Sequence, residues 1–210
     1  MTDVASPPAA PPAGGEGSSP RRSHTVLYVT LSLAAVVALL VGVLATRKPA
    51  SDRPVYSALI DKPAPDVAGK TIDGQQFQLS QFSGKWVLVN FFATWCTPCQ
   101  KEHPEIQSWS REHADAGDGE VVAVVYGDEP ARVRAFFAKQ GGNWPVVLDD
   151  GKEPVAVAYG VTAPPESYLV APNGYVAAKL IGGIRARDLD QLMVKYQRAA
   201  TSPSTRGGGS

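Results

Sequence analysis

Residues 89–104 read V-N-F-F-A-T-W-C-T-P-C-Q-K-E-H-P and contain both cysteines of the chain, Cys96 and Cys99. The run just before them, residues 86–92, is rich in β-branched and aromatic side chains, which predicts a buried strand. The residues after Cys99 have the pattern of a helix, so we expect the cysteines where a central strand leads into a helix. Free N–H groups and the helix dipole at such a position favour a thiolate, which predicts a lowered pKa for Cys96. Cys99, one turn later, can attack a mixed disulfide formed at Cys96, as thiol–disulfide exchange requires.

Two other uses of a C-x-x-C pair fit this sequence less well. A zinc site needs four ligands, and the remaining histidines, His24, His103 and His113, lack the spacing of a second ligand pair. A purely structural disulfide is weak here because so short a loop restricts the unfolded chain least. The sequence therefore indicates a redox-active Cys96–Cys99 disulfide, with no metal and no other cofactor.

The motif W-C-T-P-C after V-N-F-F-A-T resembles the thioredoxin superfamily. The continuation Q-K-E-H-P resembles its membrane-anchored, extracytoplasmic branch, the TlpA/ResA/CcmG (DsbE)-like thiol–disulfide oxidoreductases of cytochrome c maturation. The resemblance covers about residues 62–197. It implies an α/β, thioredoxin-like fold in which a central mixed β-sheet is flanked by helices, with an N-terminal β-hairpin and an inserted strand and helix.

Composition and charge bound the possible classes of protein. The chain has 210 residues and a formal net charge of zero, which offers no argument for nucleic-acid binding. Two cysteines exclude a disulfide-dense secreted scaffold. The length suits one domain of ordinary size with additional segments.

The two ends of the chain predict segments outside this domain. Residues 1–24 are mainly Ala, Pro, Gly and Ser, which predicts a disordered tail, and the resemblance implies that this tail is cytoplasmic. Residues 25–45 carry no charge and approach the ~20 residues of a bilayer-crossing helix, so we expect a transmembrane signal-anchor. A cleaved signal peptide is the alternative, although its apolar region usually spans only ~7–15 residues. Residues 46–60 then form a linker, residues 61–200 the thioredoxin-like domain and residues 201–210 a second disordered tail.

The orientation of this anchor follows from the resemblance and not from charge. Basic residues flank both of its ends, so the positive-inside rule does not decide. The resemblance places the N-terminus in the cytoplasm. The catalytic domain is then expected on the extracytoplasmic face of the cell membrane.

Periodicity and turn residues predict the remaining elements of the domain. In order, they are a hairpin over 67–79 with its turn at Asp73-Gly74, a loop over 114–120, a strand over 121–126, a helix over 131–140, a strand over 144–148, a short helix over 153–159, a hairpin of 169–170 with 176–181, and a last helix over 187–196. Pro104 lies inside the active-site helix and should bend it.

A second motif, Pro164-Pro165-Glu166-Ser167-Tyr168, matches the cis-proline region of the family. The resemblance implies that Pro165 is the cis-proline that faces the dithiol. An ordinary loop is the alternative interpretation of this proline pair. The chain departs from the family in one respect, because Pro164 has no N–H to offer to a bound substrate chain.

Two residues of the active-site helix have two possible roles each. Glu102, three residues after Cys99, is either a solvated surface charge or a buried carboxylate with a raised pKa. In the second case it resembles a glutamate of the family that tunes the dithiol, and it could take a proton from Cys99. His103 matches some members of the family, and its alternative is a partly exposed helix position.

Three residues next to the cysteines are expected to modulate the site. Trp95 should pack beside Cys96, shield the thiolate and offer a docking surface. Thr97 and Pro98 should influence the redox potential through the start of the helix.

These observations predict an enzyme, a protein thiol–disulfide oxidoreductase that acts as a reductant. The resemblance implies the C-x-x-C-H disulfide of an apocytochrome c, or a disulfide of another secreted protein, as the substrate. The membrane segment contains no cysteine, so a second membrane protein must re-reduce the pair if the chain is a reductant. The resemblance implies an integral-membrane thiol electron donor of the CcdA/DsbD type. The lipid bilayer is then a further partner. Three alternatives remain: a disulfide-donating oxidase, a thioredoxin-fold peroxidase and a non-enzymatic binding module.

Overall fold

The computed structural model describes residues 24–46, 57–149 and 154–201. Both predicted disordered tails, except for His24 and Thr201, lie outside these residues, as does most of the predicted linker. The described residues belong to two compact units, one formed by the segment 24–46 and one that begins at residue 57.

The first unit is a single helix, α1 (His24–Thr46), of 23 residues. Its large apolar side chains are exposed at Leu27, Tyr28, Val29, Leu31, Leu33, Val36, Val37, Leu39, Leu40, Val41 and Val43. Within the described segments, no helix has both the length and the apolar character needed to cross a membrane. The transmembrane helix predicted over residues 25–45 is therefore not confirmed.

The second unit is an α/β domain whose order of elements follows the sequence pattern closely. Its elements are β1 (Ala68–Lys70), β2 (Gln76–Gln78), β3 (Trp86–Phe92), α2 (Thr97–Ala116), β4 (Gly119–Val125), α3 (Pro130–Gln140), β5 (Val146–Leu148), α4 (Val155–Ala158), β6 (Glu166–Val170), β7 (Val176–Ile181) and α5 (Ala186–Thr201). A turn of 3-10 helix, Leu79–Phe82, follows β2.

Five of these strands form one mixed sheet in the order β5-β4-β3-β6-β7, while β1 and β2 pair separately as a hairpin. The pairs β3–β4 and β4–β5 are parallel, and the pairs β3–β6 and β6–β7 are antiparallel. Every residue of β3 is buried, as expected for a central strand covered on both faces. Its alternate residues enter two apolar clusters, Val87, Val89 and Phe91 on one side and Trp86 and Leu88 on the other. The prediction of a central mixed sheet flanked by helices is confirmed.

Several boundaries differ from the sequence-based expectation. Residues 114–120 were expected to form a loop, but α2 continues to Ala116 and β4 already begins at Gly119. Gly117, with φ 74°, adopts the left-handed conformation, and its N–H returns to the helix carbonyls. The connection therefore needs only two residues. In addition, α5 extends beyond the predicted end at residue 196 to Thr201.

His113 connects the far end of α2 to α5. Its Nδ1 lies 2.8 Å from Oδ1 of Asp118, and its Nε2 lies 3.1 Å from Oδ1 of Asp190. Burial lowers the pKa of His113, but the hydrogen bonds and charges of the two carboxylates outweigh burial and raise it overall. This cluster fixes the end of α2 that is remote from the cysteines.

Candidate active site

The two cysteines lie at the start of the longest helix of the domain, shortly after the end of the central strand. β3 ends at Phe92, and Cys96 is the N-cap of α2. A disulfide joins Cys96 to Cys99, and the N–H of Cys99 donates to Sγ of Cys96 at 3.2 Å. Both residues are buried, Cys96 at 4% exposure and Cys99 at 1%. The N–H of Cys99, in the first turn of α2, is therefore directed at the sulfur of Cys96, where it would stabilise a thiolate in the reduced protein.

Glu102 is a buried carboxylate, and its interpretation as a solvated surface charge is wrong. Only 2% of the residue is exposed. The side-chain amide of Asn90 donates to Oε1 at 2.9 Å, and the backbone N–H of Ile184 donates to Oε2 at 3.1 Å. Burial raises the pKa of Glu102 from its ordinary 4.5 to about 7, although both hydrogen bonds lower it. The group can therefore exchange a proton near neutral pH one helical turn from Cys99.

The Pro164–Pro165 peptide bond is cis, as the resemblance implies. Pro165 is buried, and its carbonyl accepts from the N–H of Gly182 at 3.0 Å. Glu166 then begins β6, next to β3, and residues 166 and 167 are therefore held against the central strand. Register pairs Ser167 with Asn90, and the amide of Asn90 donates to the hydroxyl of Ser167 at 2.9 Å.

The carboxylate of Glu166 stabilises the loop before the cis-proline. Its Oε1 accepts from the N–H and hydroxyl of Thr162, at 3.0 and 2.8 Å, and from the N–H of Ala163 at 3.4 Å. Its Oε2 lies 2.6 Å from Nζ of Lys179. Burial raises the pKa of Glu166, but Lys179 and Thr162 outweigh burial and lower it overall. A buried charge paired in this way is costly to disturb.

Trp95, Thr97 and Pro98 lie on the surface around the cysteines. Trp95 is 57% exposed, and its indole N–H donates to the carbonyl of Gly127 at 3.1 Å. An exposed, tethered indole suits a docking surface better than the shielding role that the sequence suggested for it. Thr97 and Pro98 are exposed in the first turn of α2, where a proline costs no hydrogen bond.

His103 lies in an aromatic cluster and is not the partly exposed residue of the alternative interpretation. It is 4% exposed, and its Nε2 lies 2.8 Å from the carbonyl oxygen of Gly141. Its ring packs against Phe136, Phe137 and Trp144, with centroids 5.0, 5.4 and 5.4 Å away. Burial lowers the pKa of His103, which favours the neutral imidazole.

Sequence reasoning missed two groups of polar residues at this site. Asn90 stands in an otherwise apolar strand, and that isolated amide was the available signal for a buried hydrogen-bond network. Asp128 and Thr94 bind each other across 34 positions of sequence, and the sequence pattern offers no comparable signal for this pair.

Among residues 24–46, 57–149 and 154–201, no group of His, Cys, Asp and Glu side chains could hold a metal ion.

A C-x-x-C disulfide at the start of the helix that follows the central strand of such a sheet defines a thioredoxin-like thiol–disulfide oxidoreductase. Residues 60–179 match the AhpC/TSA family. The chain is 36% identical to the thiol-disulfide oxidoreductase ResA of Bacillus subtilis over 139 residues, which cover 66% of this chain and 76% of that protein.

Solved structures of related proteins have the same thioredoxin-like fold. A protein of Chlorobium tepidum described as a thiol:disulfide interchange protein DsbE superposes with a TM-score of 0.60 and 27% identity, over 67% of this chain and 99% of that one. StoA of Bacillus subtilis superposes with a TM-score of 0.52 and 26% identity, over 61% of this chain and 96% of that one. The chain belongs to the AhpC/TSA family of thioredoxin-like proteins, in its TlpA/ResA/CcmG-like group. It is an enzyme, a protein thiol–disulfide oxidoreductase.

Proposed function

We propose that the chain is a membrane-tethered, extracytoplasmic reductant of protein disulfides, such as the C-x-x-C-H disulfide of an apocytochrome c. The observation that supports this most directly is the Cys96–Cys99 disulfide at the N-terminus of α2. The similarity to ResA and to DsbE-type proteins supports the choice of a protein disulfide as substrate. The C-x-x-C-H disulfide itself is carried over from the family and rests on no contact of this chain.

The reaction is a two-step dithiol exchange. The thiolate of Cys96 attacks one sulfur of the substrate disulfide, forms a mixed disulfide and releases the other substrate sulfur as a thiolate, which takes up a proton. Cys99 then attacks Sγ of Cys96, closes the Cys96–Cys99 disulfide and releases the second substrate thiol. Two electrons pass to the substrate, and the protein is left oxidised.

Glu102 is proposed as the group that removes the proton from Cys99 before the second step. Residues three apart on a helix lie on the same face, so Glu102 is next to Cys99 on α2. A pKa of about 7 lets this carboxylate accept and return a proton under ordinary conditions. Asn90 and Ile184 hold both oxygens in place during the exchange.

Other residues of the site are proposed to contact the substrate or to tune the dithiol. Trp95 offers an exposed apolar platform, and Pro165, just before β6, is proposed to face the dithiol as the family resemblance implies. Pro164 can only accept a hydrogen bond from a bound chain, because it has no N–H. Thr97 and Pro98 influence the redox potential of the dithiol through the start of α2. His103 influences the dithiol through its packing against α3.

The electrons must come from another protein. The chain has two cysteines, and both belong to the site. Each cycle leaves them oxidised, so a separate dithiol has to restore them. An integral-membrane thiol donor of the CcdA/DsbD type would supply electrons on the extracytoplasmic side.

The proposed division of the chain rests on the composition of its segments and on the family resemblance. It comprises a tail (1–24), an anchor (25–45), a linker (46–60), a catalytic domain (61–200) and a tail (201–210).

The tethering part of the proposal rests on the exposed apolar side chains of α1. We expect the full chain to stay in the membrane pellet after alkaline carbonate extraction. Replacing Val36 and Leu40 together with aspartate should release the protein, because each charge at the centre of a membrane helix costs about 3 kcal/mol. As a control, aspartate at the exposed Val157 of α4 should leave the distribution unchanged. A full chain found in the soluble fraction would contradict tethering.

The reductant proposal is tested with an oxidised C-x-x-C-H peptide and a measured reduction potential. We expect the reduced protein to convert the peptide to its dithiol, and the potential to be more negative than about −200 mV. A potential near that of strong oxidants, about −120 mV, would instead favour a disulfide-donating oxidase. Consumption of peroxide without reduction of the peptide would favour a peroxidase, and inactivity of the pre-reduced protein in both assays would favour a binding module.

A further inference from the structure

Asp128, in the loop between β4 and α3, has a fully buried carboxylate that binds the loop in front of the cysteines. Its side chain has 0% exposure. Oδ2 accepts from the backbone N–H and from the hydroxyl of Thr94, both at 2.6 Å. Oδ1 accepts from the N–H of Glu129 at 2.7 Å and from Nε of Arg132 at 3.3 Å. Four donors on one buried carboxylate form a complete set of charge-assisted hydrogen bonds, which specify a geometry and are costly to lose.

The residues held in this way lead directly to the nucleophile. Thr94 stands two positions before Cys96, and its carbonyl accepts from the side chain of Gln100 at 2.6 Å. The backbone N–H, the carbonyl and the hydroxyl of Thr94 are therefore all fixed. The next residue, Trp95, donates its indole N–H to the carbonyl of Gly127, the neighbour of Asp128. The same short loop thus holds the residue before Trp95 and the indole itself.

The parallel pairing of β3 and β4 explains why these loops meet. Phe92 and Val125 are partners at the ends of the two strands, so the loops that follow them leave the sheet side by side. Tyr126, the first residue after β4, extends the contacts, because its hydroxyl donates to the carbonyl of Thr162 at 3.1 Å. Residues 126–128 therefore contact both the loop before the cysteines and the loop before the cis-proline.

We propose that Asp128 is a positioning residue for disulfide exchange, which fixes residues 93–95 so that Trp95 is presented beside Cys96 to a peptide substrate. This inference rests on the proposed exchange at Cys96. A small aromatic disulfide needs only to reach the sulfur of Cys96. A peptide disulfide must also contact the surface around it, and an ordered surface lowers the entropic cost of that contact.

The test compares two substrates, the oxidised C-x-x-C-H peptide and 5,5′-dithiobis(2-nitrobenzoate), with the pre-reduced full chain. Asp128→Asn replaces one acceptor oxygen with an amide group that faces donors. We expect the second-order rate constant for the peptide to fall about tenfold, which corresponds to about 1.4 kcal/mol, and the constant for the small disulfide to change less than about twofold. The informative quantity is the ratio of the two constants, which loss of folded protein alone does not change.

Variants of Thr94 test the same contact with a smaller perturbation. Thr94→Val removes one hydroxyl donor, retains the shape and should lower the ratio about threefold, while Thr94→Ser keeps the donor and should restore it. Asp190→Asn is the matched control, because it removes a carboxylate that binds His113, about 21 Å along α2 from Cys99. We expect Asp190→Asn to affect stability and to leave the ratio of rate constants unchanged.

Two results would overturn the inference. One is that both rate constants of Asp128→Asn and Thr94→Val equal those of an active wild type. The other is an equal loss with both substrates, which would mean that Asp128 is purely structural. A wild type that reduces neither disulfide would reject the proposed function itself, which is a distinguishable outcome.

Discussion

Cys99→Ser is expected to stop turnover and to leave the protein covalently bound to its substrate. Cys96 keeps its place as the N-cap of α2 and can still attack a disulfide. Serine cannot displace a thiol from the mixed disulfide, so the intermediate accumulates. Multiple-turnover reduction of the C-x-x-C-H peptide should fall to the background rate. The product should appear on non-reducing gels as a single adduct of the expected mass.

Cys96→Ser is the matched control for this trapping experiment. Cys99 is 1% exposed, compared with 4% for Cys96, and it does not occupy the N-cap. We expect this variant to form no adduct with the same peptide. Equal adduct formation by both variants would contradict the assigned order of attack, and an adduct in Cys96→Ser alone would reverse it. Absence of an adduct in Cys99→Ser with a reactive Cys96 would reject the exchange mechanism. In a membrane preparation, the trapped partner would also identify the natural substrate.

Glu102→Gln is expected to change both the rate and the pH dependence of the reaction. Glutamine keeps the approximate shape but cannot accept the proton of Cys99. We expect the rate of the resolving step at pH 8 to fall about a hundredfold, the lower range of a general-base effect. The wild-type rate should rise with pH through about 7, the pKa of Glu102, and this rise should be absent in the variant. Stopped-flow decay of the mixed disulfide across pH 5–9 measures both effects.

The same substitution should change how the stability of the oxidised protein depends on pH. The pKa of Glu102 is higher in the folded protein, about 7, than its ordinary 4.5, so the folded state retains the proton more tightly. The free energy of unfolding therefore falls as pH rises from 4.5 to about 7. The rise of the pKa from 4.5 to about 7 corresponds to about 3 kcal/mol. Urea denaturation at pH 5 and pH 8 should show most of this loss as the difference between the wild type and Glu102→Gln, since His113, whose pKa is also raised, lowers the stability of both proteins over this range.

Glu105→Gln provides the control for both effects. Glu105 lies one turn further along α2 and also accepts a backbone N–H, from Ala186 at the start of α5 at 3.1 Å, but it is exposed. We expect the rate and stability profiles of this variant to follow those of the wild type. Profiles of Glu102→Gln that coincide with those of Glu105→Gln would show that Glu102 does not act as the proton acceptor.

The central strand and the position of the dithiol could be predicted because local sequence determines them. The run 86–92 is apolar except for Asn90, and the observed strand has the same bounds. Val176–Ile181 was predicted with the same success from its turn signal and its composition. The C-x-x-C spacing and Pro98 fix the start of α2 without help from distant residues.

The environment of Glu102 could not be predicted in the same way. Its burial depends on Asn90 and on Ile184, which lies 82 residues away, so no local pattern distinguishes it from the exposed Glu105. His103 is a similar case, since α3 and the residues after it bury the ring. The contact of Asp128 with the loop before the cysteines requires the parallel alignment of β3 with β4, which is a property of the folded sheet.

The shared amide of Asn90 links proton uptake at Glu102 to a change of orientation. In the observed arrangement both oxygens of the carboxylate face donors, from Asn90 and Ile184. The neutral acid carries a hydrogen that needs an acceptor, and a half-turn of the amide would present the carbonyl oxygen of Asn90 to it. The hydroxyl of Ser167 both donates and accepts, so it can follow that reversal without losing its bond to Asn90. Protonation of Glu102 would then favour the reversed orientation of the Asn90 amide.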